Sequence, residues 1–125
     1  MEEIGEVLRG VCHCGAVRFS YRGRPKRLVS CNCSICRRLR ALWAHGDLDQ
    51  IAVEGAETGT HVYTWGDGGI AFHACRTCNC TTHWAPVAPD SGSWMAVNAA
   101  LCEPADIEAL PVRRFDGADT WEFLD

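Results

Sequence analysis

The sequence has no run of apolar residues long enough to cross a membrane. Residues 1–10 are acidic and hold no apolar h-region, so no signal peptide is expected. A basic excess is missing too. Lys and Arg number 12 against 16 Asp and Glu, giving a formal charge of −4 and a pI near 5.7. That balance argues against a generic nucleic-acid binder, because phosphate contacts want a basic surface. There is no internal repeat, no low-complexity segment, and no strand–helix alternation of the kind that predicts a parallel sheet. Apolar residues make up 47% of the chain, which argues against disorder. The expectation is one domain over residues 1–125, in the cytoplasm, where thiols stay reduced.

What the chain does have is cysteine. Of nine, seven fall into three tight clusters: Cys12 and Cys14, then Cys31, Cys33 and Cys36, then Cys75 and Cys78. In a reducing compartment such clusters read as metal ligands rather than disulfides. Gly and Pro punctuate the chain at short intervals, the pattern of an all-β domain with many turns. Residues 16–21 alternate, with Val17, Phe19 and Tyr21 on one face. Further strands are expected at 51–53, 61–65, 81–84, 94–98 and 112–115, with a loop around Pro86, Pro89 and Gly92 between two of them, while 28–30 leads into the cysteine triplet and 70–73 into the third cluster. Ser34 is a candidate N-cap for a short helix reaching Arg40, and one or two helical turns are expected over 104–110.

Cys12-His13-Cys14-Gly15 puts two thiolates on one tight turn, with Gly15 supplying backbone freedom. Cys75-Arg76-Thr77-Cys78 is a C-x-x-C knuckle. Two such pairs, about 60 residues apart and each between strands, point to a closed four-cysteine zinc site. Such a site would tie early to late parts of the sheet and add folding free energy. The plainer reading, a set of buried free thiols, does not explain why they come in pairs.

The middle triplet offers only three ligands. A zinc with three protein ligands keeps a position free for water or substrate, which separates catalytic from structural zinc. Cys36 is expected on the first turn of the short helix, where the N-terminus favours thiolate. Cys80, Cys102, His13, His73 and His83 are unassigned, and any of them could close the triplet with a fourth ligand. Arg37, Arg38 and Arg40 follow directly. They could receive the carboxylates of an anionic ligand, although for at least one of them a solvated helix face is the favoured reading. The five tryptophans read as core or rim packing, one or two as cleft walls.

Residues 10–17, Gly-Val-Cys-His-Cys-Gly-Ala-Val, followed by Cys31-Asn32-Cys33-Ser34-Ile35-Cys36-Arg37-Arg38, resemble the glutathione-dependent formaldehyde-activating enzyme family, which includes centromere protein V. Phe72 to Cys78, Val97-Asn98, Phe115-Asp116 and Trp121 fit as well, so the resemblance covers a core of about 9–121. Two positions depart from the family pattern. Asn79 stands where Gly is usual, and Asn is the next most tolerant residue of left-handed backbone. Cys80 stands where a small polar residue is usual. The resemblance implies a small zinc-stapled antiparallel β-sheet domain with little helix. It implies two zincs per chain: a structural one on Cys12, Cys14, Cys75 and Cys78, and a catalytic one on Cys31, Cys33 and Cys36. The activity it implies is addition of glutathione to formaldehyde, formally a carbon–sulfur lyase reaction run in reverse.

The enzyme expected from this has a small thiol and an aldehyde as partners, and neither nucleic acid nor membrane. His73, His83 and zinc-bound water are the candidate acids for the developing alkoxide. The alternative is a non-catalytic, zinc-stabilised protein-interaction module, for which a fourth protein ligand at the triplet would be the mark. A third reading is a thiol-based metal buffer or redox sensor.

Overall fold

The computed structural model describes residues 6–90 and 93–125. Residues 1–5 and Gly92 of the expected loop lie outside them. The chain forms β1 (Val7–Val11), β2 (Arg18–Arg22), β3 (Leu28–Cys31), α1 (Cys36–Leu39), β4 (Trp43–Asp47), β5 (Ile51–Glu54), α2 (Ala56–Gly59), β6 (Thr60–Tyr63), β7 (Ile70–Cys75), β8 (Thr81–Pro86) and β9 (Trp94–Asn98). A 3₁₀ turn at Ala99–Leu101, α3 (Pro104–Ile107) and β10 (Val112–Phe115) complete it. The all-β expectation holds: the helices are four-residue pieces between strands.

Two sheets are present. One has the order β1-β2-β5, the other β10-β3-β4-β9-β8-β7-β6. Pairing is antiparallel throughout except between β10 and β3, which run parallel with Val112 opposite Leu28 and Phe115 opposite Cys31. That one parallel pair sits within a fold that is otherwise antiparallel, as expected. It needs no βαβ unit, because the whole of β4 to β9 lies between its two strands.

Side chains on a strand alternate between faces, and this divides the large sheet's environment in two. Ala44 and Val97, paired across β4 and β9, join Leu8, Phe19, Tyr21 and Ile51 of the small sheet in one core. Trp43, Trp84 and Ala96 face the other way, and pack with Val29, Cys36 and Ala41. Trp43 is 1% exposed. The first core joins the sheets, and the second seats α1 and the cysteine triplet on the outer face.

Strands β1 and β4 are additions to the sequence reading. β4 carries Gly46 and two charged or titratable side chains, which mask its period, yet both its neighbours hold it by backbone hydrogen bonds. The expected Ser34 cap is corrected. Ile35 occupies the N-cap without a side-chain hydrogen bond, and the Ser34 carbonyl accepts Arg38 Nη1–H at 2.7 Å.

Candidate metal centres

The first centre forms where the two sheets meet. After β1 the chain turns tightly, with Gly15 N–H donating to the Cys12 carbonyl at 3.0 Å and Gly15 at φ 89°. After β7 the knuckle closes with Asn79 N–H on the Cys75 carbonyl at 2.9 Å and Asn79 at φ 67°. Asn79 thus adopts the left-handed conformation that glycine would otherwise supply. These turns bring the sulfurs of Cys12, Cys14, Cys75 and Cys78 within 4.8 Å of one another. Cys12 Sγ lies 3.7 Å from Cys14 Sγ, and Cys14 Sγ 3.5 Å from Cys75 Sγ. A zinc–sulfur bond of about 2.3 Å in a tetrahedron sets sulfurs about 3.8 Å apart, so the group fits such an ion.

The surroundings suit negative sulfur. Val17 N–H donates to Cys12 Sγ at 3.3 Å and Thr77 N–H to Cys75 Sγ at 3.4 Å. The backbone N–H groups of Cys80 and Cys14 hold the Cys78 thiol down to about 5. At Cys14 the Ala16 N–H pulls the same way, but proximity to Cys75 and the other sulfurs pushes it up to about 11. Four crowded thiols therefore share protons unequally, a conflict that a bound cation removes.

The second centre lies on the outer face of the large sheet. Cys31 ends β3, Cys33 lies in the following turn, and Cys36 opens α1. Their sulfurs too lie within 4.8 Å of one another, and among the described residues no fourth His, Cys, Asp or Glu joins the group. Cys36 N–H donates to Cys33 Sγ at 3.4 Å and Cys33 N–H to Cys31 Sγ at 3.5 Å. Against the expectation of a thiolate at Cys36, burial pushes that thiol well above the usual range. Cys33 is the one lowered: burial raises it, but the Cys36 N–H and further donors outweigh that. The helix start thus acts on Cys33, one turn earlier, rather than on its own first residue. Trp43 Nε1–H donates to Cys36 Sγ at 3.3 Å.

Sequence reasoning missed the clasp that holds the triplet. Asn32 Nδ2 donates to Asp116 Oδ1 at 3.0 Å, and Asn32 Oδ1 accepts Ala118 N–H at 3.0 Å. Asp116 Oδ2 accepts from Thr120 N–H at 3.1 Å and Thr120 Oγ1–H at 2.8 Å. Those Thr120 bonds and the one from Asn32 hold the Asp116 carboxyl below the ordinary 3.8. Residues 116–118 are thereby pinned over the cysteines. A Cβ on Gly117 would stand 2.6 Å from Cys31 Sγ and 3.5 Å from the Trp121 ring. Trp121 itself is 70% exposed with φ 63°, an uncommon conformation for a bulky residue, and edges onto Phe115 at 5.2 Å.

The unassigned residues go elsewhere. Cys102 is buried in the core between the sheets, and Cys80 packs beside the first centre. His73 and His83 stack at 4.1 Å. His83 pairs with Val97 while Trp84 pairs with Ala96, which sets the His83 imidazole on the sheet face opposite Trp84, whereas His73 also lines the cleft alongside α1. The histidine on the triplet's face is His45, in register with Ala96 and packed on Trp84 and Trp94. Burial and then Arg27 lower it to about 4, leaving it neutral. Its signal was the alternation Trp43-Ala44-His45, hidden in an unread strand. Arg38 folds back on its own helix, while Arg37 and Arg40 are exposed beside the triplet. A cleft of about 400 Å³ lies alongside α1, lined by Ile35, Leu39, Tyr63 and Phe72 among others. Among the described residues no helix is long and apolar enough to cross a membrane.

A family model described as glutathione-dependent formaldehyde-activating enzyme matches residues 7–111. A curated protein of Halomonas elongata, named for that same enzyme, is 38% identical over 82 residues, covering 58% of this chain and 52% of the relative. The chain thus spans about half the length of the curated relative it matches. A crystal structure of a Rhodobacter sphaeroides protein superposes with a TM-score of 0.67 at 31% identity, covering 84% of this chain and 99% of that one.

Proposed function

Because the chain belongs to the glutathione-dependent formaldehyde-activating enzyme family, we propose that it joins glutathione, or a similar small thiol, to formaldehyde or another small aldehyde, a carbon–sulfur lyase-type reaction that also runs in reverse. The observation that carries this reading is the three-sulfur group of Cys31, Cys33 and Cys36 with no fourth protein ligand among the described residues. The same observation weighs against an interaction module, where a closed second site is expected. Zinc bound to three cysteines would offer an open position in which an incoming thiol is held as thiolate at neutral pH. Zinc on Cys12, Cys14, Cys75 and Cys78 would be structural.

The chain's own residues do the rest. Asn32 and Asp116 fix the clasp, so the three sulfurs meet a ligand without rearranging. Such preorganisation matters because the uncatalysed addition already proceeds, and the gain comes mainly from holding thiol and aldehyde together. The exposed indole of Trp121, held beside Gly117 and Cys31, gives the ligand a wall on the solvent side. Arg37 and Arg40, exposed and next to the triplet in sequence, would receive the carboxylates of glutathione by paired hydrogen bonds. A reducing cytoplasm suits seven clustered thiols.

The test is the rate of S-hydroxymethylglutathione exchange followed by NMR in glutathione and formaldehyde. The wild-type protein should accelerate exchange above the buffer rate, and Cys33→Ala should return it to that rate. A Cys33→Ala protein with undiminished acceleration removes the triplet from the mechanism.

A further inference from the structure

The cleft beside α1 is larger and less polar than glutathione and formaldehyde require. Its floor is built from β7 and the edge strand β6 of the large sheet. Tyr63 of β6 is in register with Phe72 of β7. Phe72 in turn pairs with Trp84 and its ring lies 6.2 Å from that of Trp43, so this is the sheet face that carries the triplet. Ile35 and Leu39 supply the helical wall, one turn apart, with Leu39 N–H donating to the Ile35 carbonyl at 3.0 Å. Both pack in the outer core with Cys33 and Cys36. The cleft and the cysteine triplet therefore meet at one short helix.

Its volume of about 400 Å³ lies within the span of about 300–1,000 Å³ usual for small-molecule sites, which are mostly apolar with a few polar groups. No Asp, Glu, Lys or Arg lines it, and its polar groups come from His61, His73 and Thr81 besides the Tyr63 hydroxyl. Glutathione is charged at both ends, and placing a charge in an apolar site without a partner is costly. Its carboxylates suit the exposed Arg37 and Arg40, not this cleft. Of the two reactants that leaves the aldehyde. Formaldehyde has no substituent to fill such a space, whereas an aldehyde with an apolar chain has one.

We propose that the cleft holds the apolar substituent of the aldehyde, so that an aliphatic aldehyde of several carbons is preferred to formaldehyde. Tyr63, 56% exposed, leaves the cleft open to solvent for its entry. In the reaction the thiol adds to the carbonyl: a carbon–sulfur bond forms, the C=O π bond breaks, and the thiol's proton ends on the carbonyl oxygen. Nothing is oxidised or reduced. The proposal rests on the thiol–aldehyde reading of the triplet and adds the class of aldehyde it takes.

Exchange NMR on the full-length protein with glutathione reads the acceleration over buffer for formaldehyde, propanal and hexanal in turn. Acceleration should rise along the series, by about tenfold or more from formaldehyde to hexanal, as methylenes in an apolar pocket give. Tyr63→Ala trims the cleft at an exposed position on the edge strand, and should lower the hexanal-to-formaldehyde ratio by about tenfold. A parent that accelerates formaldehyde as well as or better than hexanal, or a ratio unchanged in Tyr63→Ala, overturns the proposal and leaves the thiol–aldehyde reading standing. No acceleration with any of the three aldehydes overturns both.

Discussion

Trp43 Nε1–H points at Cys36 Sγ from 3.3 Å, joining the most buried tryptophan of the outer core to the most buried sulfur of the triplet. A hydrogen bond to a charged group contributes about 1.5–3 kcal/mol. Metal ligands commonly lose about 10–100-fold in affinity when such a supporting partner goes. Trp43→Phe should therefore weaken metal binding at the triplet by a factor in that range and leave the first centre unaffected. Competition with a chromophoric chelator reads both sites, and equal affinity in the two proteins contradicts the role given to the indole.

Gly117 meets Cys31 with no room for a side chain, since a Cβ there would stand 2.6 Å from the sulfur and 3.3 Å from Cys33 Cβ. Gly117→Ala must push the clasp off the cysteines, at a cost of about 1–3 kcal/mol for overpacking. The expected result is loss of metal from the triplet with the first site still filled. Full occupancy of both sites would mean that the clasp does not shape the triplet.

His83 is buried, and burial, then the neighbouring His73, lower it to about 3. The unfolded imidazole binds its proton near 6.5, so between those values the unfolded state holds more protons. The stability from keeping His83 neutral is fully present above pH 6.5 and is lost as pH falls toward about 3. Proton competition for the thiolates acts alike on a His83→Gln variant. Melting temperature should therefore fall less steeply with acid in the variant than in the parent, and parallel curves contradict the assignment.

The two sulfur groups were legible in the cysteine spacing, because cysteines one to three residues apart on a tight turn can aim their sulfurs at one point. Strands such as β9, at residues 94–98, were readable because a half-buried strand alternates or runs apolar. Three things were not readable. β4 is held by neighbours on both sides rather than by its own pattern. The faces of His73 and His83 depend on register with β9, which no local signal fixes. The clasp joins Asn32 to Asp116 across 84 positions through a parallel strand pair, and nothing in either segment announces the other.

The most direct test of the account is the metal content per chain of protein purified without added zinc or chelator, measured for the parent and for Cys33→Ala. The account predicts close to two zincs in the parent and close to one in the variant, with the fold intact in both. One zinc in the parent, or two retained in the variant, would contradict the claim that Cys31, Cys33 and Cys36 form a metal centre.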